Sequence, residues 1–259
     1  MTDQTKTALI TGGANGIGAA TAALLKSRGW HVAIVDLSAK HSTDADLADP
    51  GAIVAMRMDV RARETARIAC DVVVQRWGRL DLLVNNAGVN RHSPLESFSL
   101  EDWHLVLDVS LTSTLLFMQA AASHMLKAGR GSIVNTASIA ASRGVPGRAA
   151  YAAAKAAIIS LTKSGAVEWA TRGIRVNAIA PGFTETAMVR NFIDDGSVKL
   201  EPMIERTPMR RLAQPDEIAR VTAFLGGEES SYITGHVLYV DGGFMADYGI
   251  PSLRHAGQS

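Results

Sequence analysis

The sequence predicts an α/β fold: a doubly wound parallel sheet of about seven strands with helices on both faces. Two observations predict it. Short apolar runs alternate with helical patterns from Thr7 to Val240, as strand–helix–strand units require. The first run leads into a glycine-rich turn that opens a helix, Thr11-Gly-Gly-Ala-Asn-Gly-Ile-Gly18. No linker, composition break or repeat period divides the chain, so a single domain over residues 1–259 is expected.

Composition narrows the partners. Apolar residues make up 47% and charged residues 20%, ordinary values for a globular protein with a sizeable core. A net charge of +1 argues against nucleic acid or an anionic membrane as the main partner. Cys70 has no second cysteine to pair with, and no Cys/His cluster has metal-ligand spacing, so no metal is expected. Cys70 precedes Val72-Val73-Val74 in a helical run and reads as a packed thiol. No apolar stretch reaches the roughly 18 residues that span a bilayer, and the N-terminus lacks a signal-peptide pattern. A cytoplasmic protein acting on a small molecule is the expectation.

Taken in order, Thr7–Ile10 is a short apolar strand, and Ala19 to Arg28 is helical, stopped by Gly29. Glycines 12, 16 and 18 permit a tight turn between them and let a phosphate approach the backbone. The helix's exposed amides and positive end would hold that anion, with Asn15 and Ile17 inside the same turn. A glycine-rich turn alone is a weak signal. Here it follows a strand, opens a helix and leads to a second strand, His31–Val35, which is the context a dinucleotide site needs. That strand ends at Asp36, where a carboxylate can bond the two adenosine ribose hydroxyls and repel a 2′-phosphate. The expected cofactor is therefore NAD, with NADP disfavoured. Asp36 is also readable as a strand-end cap.

Residues 38–50 read as a polar loop or short helix, and Ile53–Met58 as a third strand closing on Asp59-Val60. Residues 62–77 are helical in pattern, and Leu80–Val84 is a fourth strand. It runs into Asn85-Asn86-Ala87-Gly88, small and polar where a sheet end would meet a cofactor. Helices start near Leu100 and Ser110, and Ser132–Thr136 is a fifth strand. A helix from Ala149 runs to about Thr171, Ile174–Ala180 is a sixth strand, and residues 183–207 read as irregular with helical pieces, with the features of a substrate lid. Pro215-Asp216-Glu217 opens the last helix, and Val237–Val240 is the last strand.

The chemistry centres on Tyr151-Ala-Ala-Ala-Lys155. Four residues apart on a helix, the two side chains share a face. A lysine cation beside the phenol favours the phenolate and lowers its pKa toward the working range. Ser138, at the end of the fifth strand, can return to hold a substrate oxygen beside Tyr151. Alone, this pair is equally compatible with an Ala-rich packing helix.

Over residues 7–243 the chain resembles the short-chain dehydrogenase/reductase family, a Rossmann-type fold of roughly 250 residues. The resemblance rests on Thr11-Gly-x3-Gly-Ile-Gly18, Asp59-Val60, Asn85-Asn-Ala-Gly88, Ser138, Tyr151-x3-Lys155 and Pro181-Gly-x3-Thr186. It implies that Asp59 and Val60 meet the adenine and that Asn86, Ala87 and Gly88 support the cofactor. It also implies that Lys155 bonds the nicotinamide ribose, and that Pro181, Gly182, Thr184 and Thr186 lie by the nicotinamide. One position departs from the family. Where a catalytic Asn is usual, seven residues after Trp103, this chain has Ser110. The family's residue helps hold a proton-relaying water through its carbonyl, which Ser110 retains.

The expected reaction is interconversion of a secondary alcohol and a ketone, with Tyr151 as acid/base, Ser138 orienting the oxygen and Lys155 supporting both. Arg91 and His92 follow Gly88 at the expected mouth of the site, and Arg143 and Arg148 flank the loop between Ser138 and Tyr151. Guanidinium groups suit an oxyanion. An Arg in the first loop also resembles the family's sugar-acid dehydrogenases. A sugar, polyol or sugar acid is thus expected, an anionic one favoured. A 3-oxoacyl-thioester reductase and a non-catalytic NAD-binding regulator are the alternatives. The Ala-rich helix and the resemblance also imply a homo-oligomer, a tetramer.

Overall fold

Runs of apolar residues too short for helices form one sheet. In chain order they are β1 (Thr7–Thr11), β2 (His31–Val35), β3 (Val54–Met56), β4 (Leu82–Asn85), β5 (Gly131–Thr136), β6 (Ile174–Pro181) and β7 (Val237–Val240). The computed structural model describes residues 5–43, 51–194, 196 and 199–247. Every strand pair is parallel, in the spatial order β3-β2-β1-β4-β5-β6-β7. The order reverses between β1 and β4, which opens a crevice at the strands' carboxyl ends.

Successive strand residues point to opposite faces, and here both sets are apolar. Leu9, Leu83 and Ile133 pack on one side, Ile10, Val84 and Val134 on the other. The first side is covered by α2 (Arg63–Trp77) and α4 (Ser113–Ala128), through residues such as Val73, Phe117 and Met125. The second is covered by α1 (Gly16–Ser27) and α8 (Pro215–Gly226), through Leu25, Ile218 and Leu225. α5 (Ala149–Trp169) packs Ile158 on Ala178 of β6, and its Ala150 and Ala154 on Val106 of α3 (Leu100–Leu107). Cys70 is the packed thiol expected of it, fully buried and pushed up to about 12 by that burial.

Several expectations shift. β4 starts at Leu82 and β3 keeps three residues, because the register against β1 and β2 pairs only those positions. α1 starts at Gly16, within the turn. The helical pieces expected within 183–207 are present as α6 (Ala187–Asp194) and α7 (Leu200–Arg206). Residues 44–50 of the expected polar loop, and 195, 197 and 198 of the expected lid, lie outside the described residues. Leu100–Ala128 forms a helical stretch of 29 residues containing an 18-residue window of mean hydropathy 1.5, long and apolar enough to cross a membrane. Phe117, Met118, Ala121 and Met125 seat it on the sheet, as a core helix. Between α3 and α4 the stretch widens into a π turn, Asp108–Thr112, which carries Ser110 inward.

Candidate active site

The turn between β1 and α1 needs its glycines for close approach. Gly12 has φ +64°, and a Cβ there would lie 2.8 Å from Cα of Ala87. A Cβ on Gly18 would lie 2.1 Å from the Gly12 carbonyl oxygen, so Gly18 lets the helix pack on the turn without itself lining the cleft. Asn86 donates Nδ2 to the Gly12 carbonyl at 2.9 Å, and the amides of Asn86 and Ala87 both donate to Thr11 Oγ1 at 3.1 Å. These bonds join the ends of β1 and β4 across the crevice.

Gly12, Asn15, Gly16 and Ile17 line the cleft so formed, with Asn86, Ala87, Gly88, Pro181, Gly182, Thr184 and Thr186 opposite. Asn15 precedes the first turn of α1 but does not cap it; its Nδ2 donates to Ser38 Oγ at 3.0 Å instead. The first amides of α1 therefore remain available to an anion, as a dinucleotide phosphate requires. Asp36 also lines the cleft. Its carboxylate accepts from the Ala14 amide at 3.1 Å and the Ser38 amide at 2.8 Å, so it braces the turn as well as facing the cofactor position.

Asp59 and Val60, expected at the adenine, lie outside the residues that line this cleft. Arg61 binds Asp59 through Nε and Nη2, the latter at 2.7 Å, and holds its carboxyl below the usual carboxylate range. Val60 is buried in the core.

Ser138, Tyr151 and Lys155 meet at the inner end of the cleft. Lys155 is buried, its Nζ donates to the Thr136 carbonyl at 2.6 Å, and burial pushes it down to about 8. Its Nζ lies 5.6 Å from the centroid of the Tyr151 ring. Burial raises the Tyr151 phenol above its ordinary value, while the Ser138 hydroxyl, as a hydrogen-bond partner, and the Arg148 guanidinium act in the other direction. Ser110 is fully buried and its Oγ has no hydrogen-bond partner among the described residues. A Cβ on Gly88 would lie 3.5 Å from both that Oγ and Lys155 Nζ, so the two groups border one small space. The Ser110 carbonyl accepts from Thr114 Oγ1 at 2.7 Å.

A second cavity, about 1050 Å³, opens from Ser138 and Tyr151. His92, Arg143 and Arg148 line it as expected. Arg91 does not: its Nε donates to Asp102 Oδ1 at 3.1 Å and its Nη1 to the Asn90 carbonyl at 3.1 Å. Asp102, in the first turn of α3, draws the guanidinium away. Sequence reasoning missed Phe183, Met203, Arg206 and Phe244, which come from three separate segments and wall the cavity. Phe183 and Phe244 meet edge to face at 5.4 Å, and Arg206 lies over the Phe244 ring at 5.1 Å. No local motif marks them; only the position of Phe183 after Pro181-Gly182 pointed toward the site.

A family model described as "Enoyl-(Acyl carrier protein) reductase" matches residues 12–245. The 3-oxoacyl-[acyl-carrier-protein] reductase FabG of Thermotoga maritima is 40% identical over 93% of this chain and 98% of its own. The chain belongs to the short-chain dehydrogenase/reductase family. It is an oxidoreductase acting on CH–OH groups. Other members of the family are comparably similar. The cis-4-hydroxycyclohexanecarboxylate dehydrogenase of Sinomonas cyclohexanicum is 39% identical over 93% of this chain and 97% of its own. The D-threitol dehydrogenase of Mycolicibacterium smegmatis is 39% identical, with 92% of each chain covered. Among solved structures, ElxO with NADP bound superposes with a TM-score of 0.86 at 33% identity, over 94% of this chain and all of that one.

Proposed function

We propose that the protein interconverts a secondary alcohol and a ketone on a carboxylate-bearing substrate with an apolar body, using NAD. One observation carries the substrate class. The wall of the second cavity combines Arg143, Arg148, Lys199 and Arg206 with Ile139, Phe183, Met203 and Phe244, and no carboxylate is among its described lining residues. In a chain of net charge +1, that segregation favours an anion. The apolar surface weighs against a sugar acid and toward a ring or short hydrocarbon body. The relative from Sinomonas, named for a cyclic hydroxy acid, supports this reading. The relative named for D-threitol supports a neutral polyol, which would leave the cationic groups unused.

Tyr151, as phenolate, takes the alcohol proton. Ser138 orients the substrate oxygen, and Lys155 holds positive charge behind the phenol. When bound, the nicotinamide cofactor accepts or supplies the hydride. Asp36, a carboxylate lining the cleft after β2, supports NAD, because its charge would repel a 2′-phosphate. The ElxO structure holds NADP, so the preference rests on Asp36 alone. Ser110, bordering the same space as Lys155 Nζ, is placed to support proton traffic there. A homotetramer is the expected assembly; Val167 of α5, 82% exposed, offers one apolar contact.

The second reading is 3-oxoacyl-thioester reduction, favoured by the Thermotoga relative and by a cavity with room for an acyl chain. The test is a substrate panel with purified protein: cyclic hydroxy acids, polyols and sugar acids with NAD or NADP, and a 3-oxoacyl thioester with the reduced cofactors. Highest kcat/KM for a cyclic hydroxy acid with NAD is expected. Highest kcat/KM for the thioester would replace this reading with the second. No turnover on any member would leave a nucleotide-binding regulator.

A further inference from the structure

Asn15 has what a helix cap needs. Its backbone is extended, with φ −141° and ψ 164°, and its carbonyl accepts from the Ala19 amide at 3.2 Å, the first bond of α1. Asparagine is among the best residues at such a position, because its side-chain oxygen can take an amide of the first turn. Here it takes none. Its Nδ2 donates instead to Ser38 Oγ at 3.0 Å, in the turn that follows β2. The first turn of α1 carries no acidic side chain, so no carboxylate of its own competes for those amides.

Ser38 is itself held in place. Its hydroxyl and its amide each donate to Asp36 Oδ1 at 2.8 Å. With its proton directed at a carboxylate, the Ser38 oxygen meets Asn15 as an acceptor. The charge on Asp36 strengthens this chain of bonds from Asn15 through Ser38.

We propose that Ser38 is a positioning residue for the cofactor's diphosphate: it holds the Asn15 side chain off α1 and so keeps the first-turn amides open to that anion. The inference rests on the cleft being a dinucleotide site. Without the hydroxyl, Asn15 is released beside amides that have no intrahelical partner, and it caps them. A diphosphate must then displace the cap before it binds. Asp36 would still accept the amide of residue 38, so the ribose end of the site stays in place. Ser38 therefore acts on the diphosphate and spares the nucleoside.

The test is equilibrium binding of ADP, which carries the diphosphate, and of adenosine, which carries none, each by displacement of fluorescent NADH. Both side chains are exposed, so neither substitution empties the core. Ser38→Ala should raise Kd for ADP about fivefold, the equivalent of one cap bond of about 1 kcal/mol, and leave Kd for adenosine unmoved. Ser38→Thr, which keeps the hydroxyl, should hold the wild-type Kd for ADP. Asn15→Ala added to Ser38→Ala should recover the lost ADP affinity, because it removes the competing cap, whereas in the wild-type background it should bring no gain. An unchanged ADP affinity in Ser38→Ala, an equal loss for adenosine, or no recovery in the double variant overturns the proposal. Wild-type protein that binds neither NADH nor ADP would overturn the dinucleotide reading of the cleft, and Ser38's role with it.

Discussion

Lys155 donates its Nζ to the carbonyl of Thr136, the last residue of β5, at 2.6 Å. That bond ties the catalytic face of α5 to the end of the sheet where Ser138 follows two residues later. It also commits one of the three ammonium donors, so the lysine reaches the site from beneath, with Tyr151 and Ser138 above it. The phenol, the hydroxyl and the ammonium are therefore positioned by two elements whose relative placement is fixed by a buried hydrogen bond.

The first expected outcome concerns those residues. Tyr151→Phe should lower kcat by at least about 100-fold, the usual contribution of an acid–base group, while leaving cofactor affinity unchanged. Lys155→Ala should weaken both, because it removes charge at the phenol and a donor toward the cofactor. Steady-state rates and a fluorescence titration with NAD check both. A Tyr151→Phe enzyme with more than about a tenth of wild-type rate would remove Tyr151 from the mechanism.

Lys155 also makes stability depend on pH. Its folded pKa, about 8, lies below the reference value of 10.5, so between those values the unfolded chain binds more protons than the native protein. Stability due to this group therefore rises with pH across that window and is lost as pH falls through about 8. Comparing wild type with Lys155→Met removes the background. Between pH 7 and 9.5 their stability difference should move in favour of wild type by about 2 kcal/mol. Denaturant unfolding at both pH values measures it, and a constant difference would contradict the burial of a titrating lysine.

Asp36→Ala should narrow the preference for NAD over NADP, since it removes both a ribose acceptor and a negative charge facing the 2′ position. It should also loosen the turn at Ala14, whose amide loses its 3.1 Å partner, and so raise KM for both cofactors. A raised KM with an unchanged NAD/NADP ratio would make Asp36 a brace only.

The arginines divide by partner. Arg91→Ala should leave KM for an acidic substrate unchanged and cost no more than about 1 kcal/mol of stability, as expected for an exposed pair. Arg206→Ala should raise KM for the acid by about tenfold, the value of one charge-assisted contact, and spare a neutral analogue. Equal effects of Arg206→Ala on both substrates would assign it to packing on Phe244.

Much of the site was legible because its logic is local. Gly12, Gly16 and Gly18 lie on one turn, where backbone conformation alone decides what fits. Tyr151 and Lys155 lie on one helix, whose 3.6-residue period puts them together whatever surrounds them. The doubly wound parallel sheet followed from the alternation of strands and helices along the chain. Asn86 was readable as the residue after β4, although its bond to the Gly12 carbonyl requires β1 and β4 to be neighbours.

The residue that was misplaced, Arg91, is a long, flexible side chain with a choice of partners. Arg91 stands at the expected mouth of the site, yet Asp102, eleven residues on, lies close enough in space to take its guanidinium. The cavity wall shows the converse. Phe183, Arg206 and Phe244 are scattered over the chain and meet only because β6, α7 and the segment after β7 end at the same edge of the sheet. By itself the sequence determined the fold class, the glycine-rich turn between β1 and α1, and Ser138, Tyr151 and Lys155 as candidates that share one cleft. The tertiary structure alone decided which cations face the substrate and what apolar surface accompanies them, because a charge's partner is set by distance in space, and that distance depends on the packing of the whole sheet.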